Sequence, residues 1–276
     1  MKLVQALQQA ARQLEAAQIS SPHSDAEWLL VLALGSTRAV LLEPNREFSQ
    51  TELERYQSWV ARRAAREPLQ WIVGSTEFYG LELIVRPGVL IPRPETERLV
   101  ELTLERLGQS GRVVDIGCGS GAIALALKFE RPALEVWATD ISPDAIELTL
   151  ENAKRLNLSI HAVQTSLLTG LIGKFTMIVA NLPYLPQTDM LEPEVQLEPR
   201  AALFSGVDGL DLARELVKGA PDYLTQTGFL LLELDPRNAP MLQAEMLQTG
   251  WSAWLEADLS GRKRFIVAQR SSLPRF

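Results

Sequence analysis

Between residues 111 and 180 the chain alternates apolar β-forming runs with helical runs: "RVVDIG", "AIALALKFE", "LEVWATDI", "PDAIELTLENAKRL", "IHAVQT" and "FTMIVAN". Strands separated by helical stretches imply right-handed βαβ crossovers, and therefore a parallel sheet covered by helices. The tail continues with the helix "GLDLARELVKGAPDYL", the strand "GFLLLEL", the helix "APMLQAEMLQTG", and "WSAWLEADL" with "RFIVAQ" as a closing β pair. Ahead of this region the signals are helical. "LVQALQQAARQLEAA" carries apolar residues at helical spacing, "SDAEWLLVLALG" starts on a Ser24 cap and ends at Gly35, and "SQTELERYQSWVARRAARE" starts on Ser49 or Thr51 and stops before Pro68. "FYG" and "LELIVRPGVLIP" then form a hairpin turning at Gly80, followed by the helix "PRPETERLVELTLERLG". The expected organisation is a helical bundle over 1–73, a hairpin linker over 74–90 and an α/β domain over 91–276.

Composition narrows the chemistry. Cys118 is the only cysteine, so no intrachain disulfide can form, and His23 and His161 are too few and too far apart for a metal site. A net charge of −7 argues against broad electrostatic binding of nucleic acid, which needs many cations to neutralise phosphates. No uncharged apolar run approaches the ~18 residues of a membrane span. The amphipathic start "MKLVQALQQAARQLEAAQ" is not a signal peptide, so a cytoplasmic location is expected.

"VVDIGCGSGAIALAL" places Gly117, Cys118, Gly119, Ser120 and Gly121 between a strand and a helix, where missing Cβ atoms let backbone approach a nucleotide-like ligand. Gly117, Gly119 and Ala122 also satisfy the dinucleotide fingerprint. Three details favour S-adenosylmethionine instead: the extra Gly121, the acidic Asp115 suited to an ammonium group, and the lack of the second nucleotide half a dinucleotide requires. Asp140, at the end of the next strand, is placed to accept from ribose hydroxyls, with helix capping as its rival role; Ser142 fills that cap better.

"VANLPYLP" lies at the carboxyl end of another strand, where ligands bind in doubly wound sheets. The side-chain oxygen of Asn181 and the carbonyl of Leu182 can accept both hydrogens of a planar NH₂ group, while Tyr184 packs on its flat face. The competing reading is a rigid proline turn around Pro183 with Asn as turn former and Tyr as rim packing.

In this order, "PLQWIVGSTEFYGLELIVRPGVLIPRPETERLVE", "VVDIGCGSGAIALAL", "NLPYLP" and "LEPRAALFSGVDGL" resemble the HemK-type (PrmC) glutamine N5-methyltransferases that modify peptide-chain release factors, over nearly the whole chain. The resemblance implies a Rossmann-like, seven-stranded S-adenosylmethionine-dependent methyltransferase domain behind a helical substrate-docking domain and a β-hairpin linker. It implies that residues 117–121 and Asp140 bind the cofactor, together with Asp115, Ile141, Leu167 and Asn181, and that S-adenosylhomocysteine is the product. Asn181, Leu182, Pro183 and Tyr184 would hold and methylate the glutamine of a Gly-Gly-Gln loop, with Arg93 and Thr96 of "PRPETE" lining the pocket. The implied partner is a release factor met by a monomer, without membrane or nucleic acid.

Two departures stand out: Leu182 where the family has Pro, and Ser166 where it has Asp, a loss that removes a partner for the adenine amino group. Since Pro183 already biases residue 182 toward extended backbone, the gripping carbonyl is kept, and Leu182 is expected to add only a bulkier, more flexible side chain and a looser fit. The alternatives are a ribosomal-protein glutamine, an RNA adenine N6 amine (Asn-Leu-Pro-Tyr also resembles the ribosomal-RNA adenine dimethyltransferases), and a non-catalytic cofactor-binding adaptor. For the RNA alternative, Arg55, Arg62, Arg63, Arg66 and the run from Arg262 to Arg264 are the candidate anion contacts, against a plain reading as solvated charge.

Overall fold

The computed structural model describes residues 1–271, and the chain divides into two compact units, Met1–Ser75 with Leu191–Leu197, and Thr76–Met190 with the residues from Glu198 onward. The first unit contains helices α1 (Leu3–Ala16), α2 (Pro22–Ala33), α3 (Gln50–Ala64) and the short α4 (Leu69–Val73). Helix α2 begins behind Ser21 rather than at Ser24, because Pro22 has its φ preset for the first turn and needs no N–H partner there. Helix α3 starts on Ser49, whose hydroxyl accepts from the Glu52 N–H while the Glu52 carboxylate accepts from the Ser49 N–H at 2.8 Å. This reciprocal pair leaves Thr51 inside the helix. The helices bury Leu14, Leu29, Leu30 and Tyr56 together, and the Tyr56 hydroxyl donates to the Ala26 carbonyl at 3.1 Å.

Four arginines of this unit, at positions 55, 62, 63 and 66, have internal partners. Arg63 donates to Asp25 at 2.7 Å and to Glu194 at 3.0 Å; Arg66 donates to Glu194 at 3.1 Å. Arg62 pairs with Glu67 through its Nε at 2.8 Å, and Arg55 donates to the Ala33 carbonyl at 3.1 Å. Four arginines that looked like a possible anionic contact thus serve to fasten the bundle and the 191–197 segment it includes.

In the second unit, β1 (Ser75–Phe78) and β2 (Leu81–Ile84) form the expected hairpin, with Tyr79 and Gly80 both at positive φ, as a two-residue turn requires. Helix α5 (Thr96–Leu104) follows, then β3 (Gly111–Ile116), α6 (Ala122–Glu130), β4 (Leu134–Asp140), α7 (Pro143–Arg155), β5 (His161–Gln164) and β6 (Phe175–Ala180). The remainder is α8 (Asp211–Gly219), β7 (Leu224–Glu233), α9 (Ala239–Gln248), β8 (Trp251–Ala257) and β9 (Lys263–Arg270). Seven strands make one sheet in the order β5-β4-β3-β6-β7-β9-β8. The first five are parallel, and β9 runs antiparallel to both β7 and β8. Helices cover both faces, so the central strands are near-continuous apolar runs: Val113, Val114 and Ile116 of β3 and Met177 to Ala180 of β6 are all buried. Strand order reverses direction between β3 and β6, which opens the crevice where ligands bind in such sheets.

Candidate active site

Register fixes which residues share the carboxyl edge. Ile116 lies opposite Thr139 on one side and Ala180 on the other, and Ala180 lies opposite Leu232. One residue further along each strand come Gly117, Asp140, Asn181 and Glu233, four neighbours on one edge. The sequence-predicted cofactor and amide loops are therefore brought together.

The glycine loop is tied down from within. Gly117, Gly119 and Gly121 all have positive φ, and a Cβ at Gly121 would meet Thr149 at 3.0 Å and Leu125 at 3.2 Å. The N–H groups of Gly117 and Cys118 donate to the Thr139 carbonyl, that of Gly121 to the Cys118 carbonyl, and that of Gly119 to Asp140 Oδ2 at 3.0 Å. A phosphate cradle needs free N–H groups pointing at the ligand; here four are already used. That favours a nucleoside ligand without phosphate over a dinucleotide. Asn152, fully buried on α7, donates to the Ser120 carbonyl at 3.0 Å and also pairs with both backbone groups of Ile84, bolting the loop to the hairpin. Cys118 is buried against the Thr149 hydroxyl, and burial pushes its thiol up, so it is a filler rather than a nucleophile.

Asp140 accepts from Gly119 N–H with one oxygen and from Ser142 N–H with the other at 2.9 Å, so its carboxylate is held in one orientation with lone pairs still open. Ser142 caps α7 through the Ala145 N–H, as expected. Ile141 beside it is 69% exposed, an apolar side chain held out at the crevice. Leu167 has positive φ, is half-buried, and its carbonyl accepts from the Thr139 hydroxyl at 3.1 Å; Ser166 is exposed. Asp115 differs from expectation. The carboxylate read as facing an ammonium group is fully buried beneath the loop, with Oδ2 accepting from the Ala124 N–H at 3.2 Å and Oδ1 lacking any partner. Burial raises it to about 7.

On the other side of β3, Asn181 Nδ2 donates to the Thr96 hydroxyl oxygen at 2.9 Å, which leaves Asn181 Oδ1 turned away from Thr96 as an acceptor. Tyr184 is half-buried, and burial raises its hydroxyl above the ordinary tyrosine value, so it stays neutral. Leu182 overturns the sequence-based expectation of a loose, flexible side chain. It is buried in the cluster that contains Ile116 and Ala180, and its Cδ2 stands 3.0 Å from where a Cβ on Gly117 would be. Leu182 is core packing that joins the amide loop to the glycine loop. Arg93 donates to Glu198 at 2.6 Å, and Glu198, buried, also accepts from the Ile91 N–H at 3.1 Å.

The loop after Tyr184 is held by a segment whose role sequence alone left open. Leu185 and Phe204 form a parallel bridge, through Leu185 N–H to the Leu203 carbonyl and Ser205 N–H to the Leu185 carbonyl. Asn238 donates to the Tyr184 carbonyl at 2.9 Å and to the Asp208 carbonyl at 3.2 Å. Gly209, at φ +80°, approaches so closely that a Cβ there would stand 2.1 Å from the Tyr184 oxygen. Glu198, Ser205 and Gly209 escaped sequence reasoning, although "LEPRAALFSGVDGL" marked their segment, and Asn238, outside that segment, escaped it too. Glu233 escaped too. It is buried at the end of β7, neither oxygen makes a hydrogen bond of good geometry, and the nearest cation, Arg264, stands at 3.9 Å. Burial raises its carboxyl to about 7, against the opposing pull of the adjacent Thr96 hydroxyl. Among the second cluster of basic residues, Arg264 is 2.9 Å from Asp258, which also accepts from the Arg262 N–H, so this hairpin is internally neutralised in part.

Family models match both the helical region and the methyltransferase region of the chain. Residues 5–74 match the PrmC N-terminal domain, and residues 94–196 match the methyltransferase small domain. The release factor glutamine methyltransferase of Deinococcus radiodurans is 47% identical over 276 residues, covering 98% of this chain and 99% of the relative. That of Moorella thermoacetica is 40% identical over 280 residues, with 98% and 99% covered. Among solved structures, the ribosomal protein L11 methylase of Lactobacillus delbrueckii subsp. bulgaricus superposes with a TM-score of 0.52 at 24% identity, over 68% of this chain and 84% of that one, a likeness of fold.

Proposed function

This chain belongs to the release factor glutamine methyltransferase family and methylates release factor glutamine, and we propose that S-adenosylmethionine is the donor and that the acceptor is the N5 amide nitrogen of a Gly-Gly-Gln glutamine. The observation that carries the reading is the Asn181 to Thr96 hydrogen bond at 2.9 Å, because it presents an acceptor oxygen beside the Leu182 carbonyl at the sheet's carboxyl edge. Two acceptors side by side match the two hydrogens of a primary amide and reject a hydroxyl or a carboxylate.

The residues present fit the donor. Asp140, oriented by two backbone N–H groups, keeps lone pairs for a ribose diol, and Ile141 offers an apolar face to an adenine ring. Gly117, Gly119 and Gly121 let the backbone come close, while Asp115 acts from below by holding the start of α6 to β3 through Ala124. When bound, S-adenosylmethionine would supply an electrophilic methyl group, transferred to the amide nitrogen with loss of an N–H proton to water. Asn181 and Leu182 hold the amide plane so that its nitrogen meets that carbon, and positioning of this kind removes much of the barrier. Tyr184, neutral and anchored through its carbonyl by Asn238, packs against the amide face.

The helical unit serves to dock the protein substrate, with 74–90 as a linker to the methyltransferase domain, and the chain acts as a monomer in the cytoplasm beside the translation machinery. Among the described residues no helix is long and apolar enough to cross a membrane. The test is labelled methyl transfer to an isolated release factor. Label on the Gly-Gly-Gln glutamine is expected, with loss of at least about 10²-fold in Asn181→Ala; a release factor left unlabelled by the folded enzyme, with cofactor binding intact, would refute the acceptor assignment.

A further inference from the structure

The segment "LEPRAALFSGVDGL" carries at its second position a buried acid that takes no part in the chemistry of methyl transfer. Glu198 is 4% exposed. A carboxylate taken that far from water is costly unless it is paired and hydrogen-bonded. Both of its oxygens are committed, and both to one short piece of chain. Oε1 accepts from Arg93 Nη2 at 2.6 Å, and Oε2 accepts from the Ile91 N–H at 3.1 Å. That piece is stiff. Pro92 and Pro94 fix their own φ and bias Ile91 and Arg93, each just ahead of a proline, toward extended backbone.

From Arg93 the hydrogen bonds run on to the clamp. The Arg93 carbonyl accepts from the Thr96 N–H at 3.0 Å, closing the turn that starts α5, and the Thr96 hydroxyl oxygen accepts from Asn181 Nδ2 at 2.9 Å. We infer that Glu198 is a positioning residue for methyl transfer, with Arg93 as its counter-ion rather than as a group that touches the substrate. The pair fixes the 91–96 segment, which sets where Thr96 presents its oxygen and so where Asn181 stands against the substrate amide. The same "LEPRAALFSGVDGL" segment then holds the clamp from both sides, through Glu198 toward Asn181 and through Leu203 and Ser205 on Leu185, just past Tyr184. The role of Glu198 rests on the reading of Asn181 to Tyr184 as the amide clamp.

The test is methylation of an isolated release factor by variants of the full chain, with cofactor affinity by calorimetry and secondary structure by circular dichroism as checks of folding. Glu198→Gln keeps an oxygen for the Ile91 N–H and removes the charge that holds Arg93. It should lower kcat about tenfold, a fraction of the roughly 10²-fold that a 1 Å misplacement can cost, with cofactor affinity retained. Arg93→Met should be worse, because it strands a buried carboxylate, and the double variant should recover part of that loss. Thr96→Val cuts the path at its last link, so Glu198→Gln should add little in that background. Thr96→Ser, which keeps the hydroxyl, should hold most of the parent kcat. A Glu198→Gln kcat within about twofold of the parent, or full additivity with Thr96→Val, would overturn the inference. So would a raised KM for the release factor in Arg93→Met beside a parent-like Glu198→Gln, the pattern of an arginine that touches substrate. If Glu198→Gln does not fold, Arg93→Gln carries the same cycle, and its additivity with Thr96→Val decides the outcome. If Asn181→Ala were fully active, the clamp itself would fail; an inactive Asn181→Ala beside a parent-like Glu198→Gln would remove only the role of Glu198.

Discussion

Gly209 and Gly80 offer a matched pair of substitutions. Both have positive φ, +80° and +73°, so alanine at either meets the same left-handed backbone penalty of about 1–2 kcal/mol. At Gly80 nothing lies within 4 Å of the added Cβ. At Gly209 the Cβ would stand 2.1 Å from the Tyr184 oxygen, some 1.3 Å short of the 3.4 Å at which ordinary contact begins, and 2.8 Å from Asn238 Nδ2. The obstacle is backbone carbonyl, so the amide loop itself must yield. Losing the Asn238 to Tyr184 bond adds about 1 kcal/mol, for a total of about 2–3 kcal/mol at Gly209. The larger effect should be on turnover, because a displacement of about 1 Å at a positioning loop can cost about 10²-fold. Urea unfolding and kcat for release factor methylation, measured on both alanine variants, separate the two terms. A folded Gly209→Ala enzyme with kcat within about twofold of Gly80→Ala would show that the Tyr184 carbonyl is not held where catalysis needs it.

Three further outcomes follow from the same geometry. Leu182→Ala should destabilise the second unit by about 2–4 kcal/mol, as buried leucine truncations do, and should weaken cofactor binding by calorimetry because Leu182 fills the space beside Gly117. For Asp115 the folded-state value, about 7, lies above the ordinary aspartate value of 3.8. Its contribution to stability is therefore full below the unfolded value and is lost as pH rises through about 7, on the order of 4 kcal/mol in all. Asp115→Asn should flatten that part of the pH dependence in denaturant titrations; an unchanged slope between pH 4 and 7, roughly the interval between the two values, would contradict the burial argument. Ser49→Ala should cost about 1 kcal/mol in thermal or urea unfolding through the lost capping box, with kcat unchanged.

The strand and helix alternation from 111 to 180 was legible because a sheet buried on both faces writes continuous apolar runs, and Gly80, Ser49 and the glycine loop were legible because turn and cap chemistry is local. The amide loop was legible as a motif, and its neighbours were not. Glu198 and Asn238 reach their targets across 107 and 54 positions of chain, and no local pattern encodes such a partner. Glu233 ends a strand as any solvent-facing acid might, and only the register that sets it beside Asn181 gives it meaning. Leu182 was misjudged for the same reason: between Asn181 and Pro183 it looks like loop, yet its side chain points back into the core cluster.

The shape of the amide loop is written by residues that come after it. Its flank is bridged by Leu203 and Ser205, its Tyr184 carbonyl is gripped by Asn238, and the strand beside it, β7, takes its other partner from β9 at 263–270. A nascent chain that has just displayed Asn-Leu-Pro-Tyr therefore has the letters of the site without its form. Completion waits for β9 at 263–270 to emerge, so the motif is made well before the strand that finishes the sheet beside it.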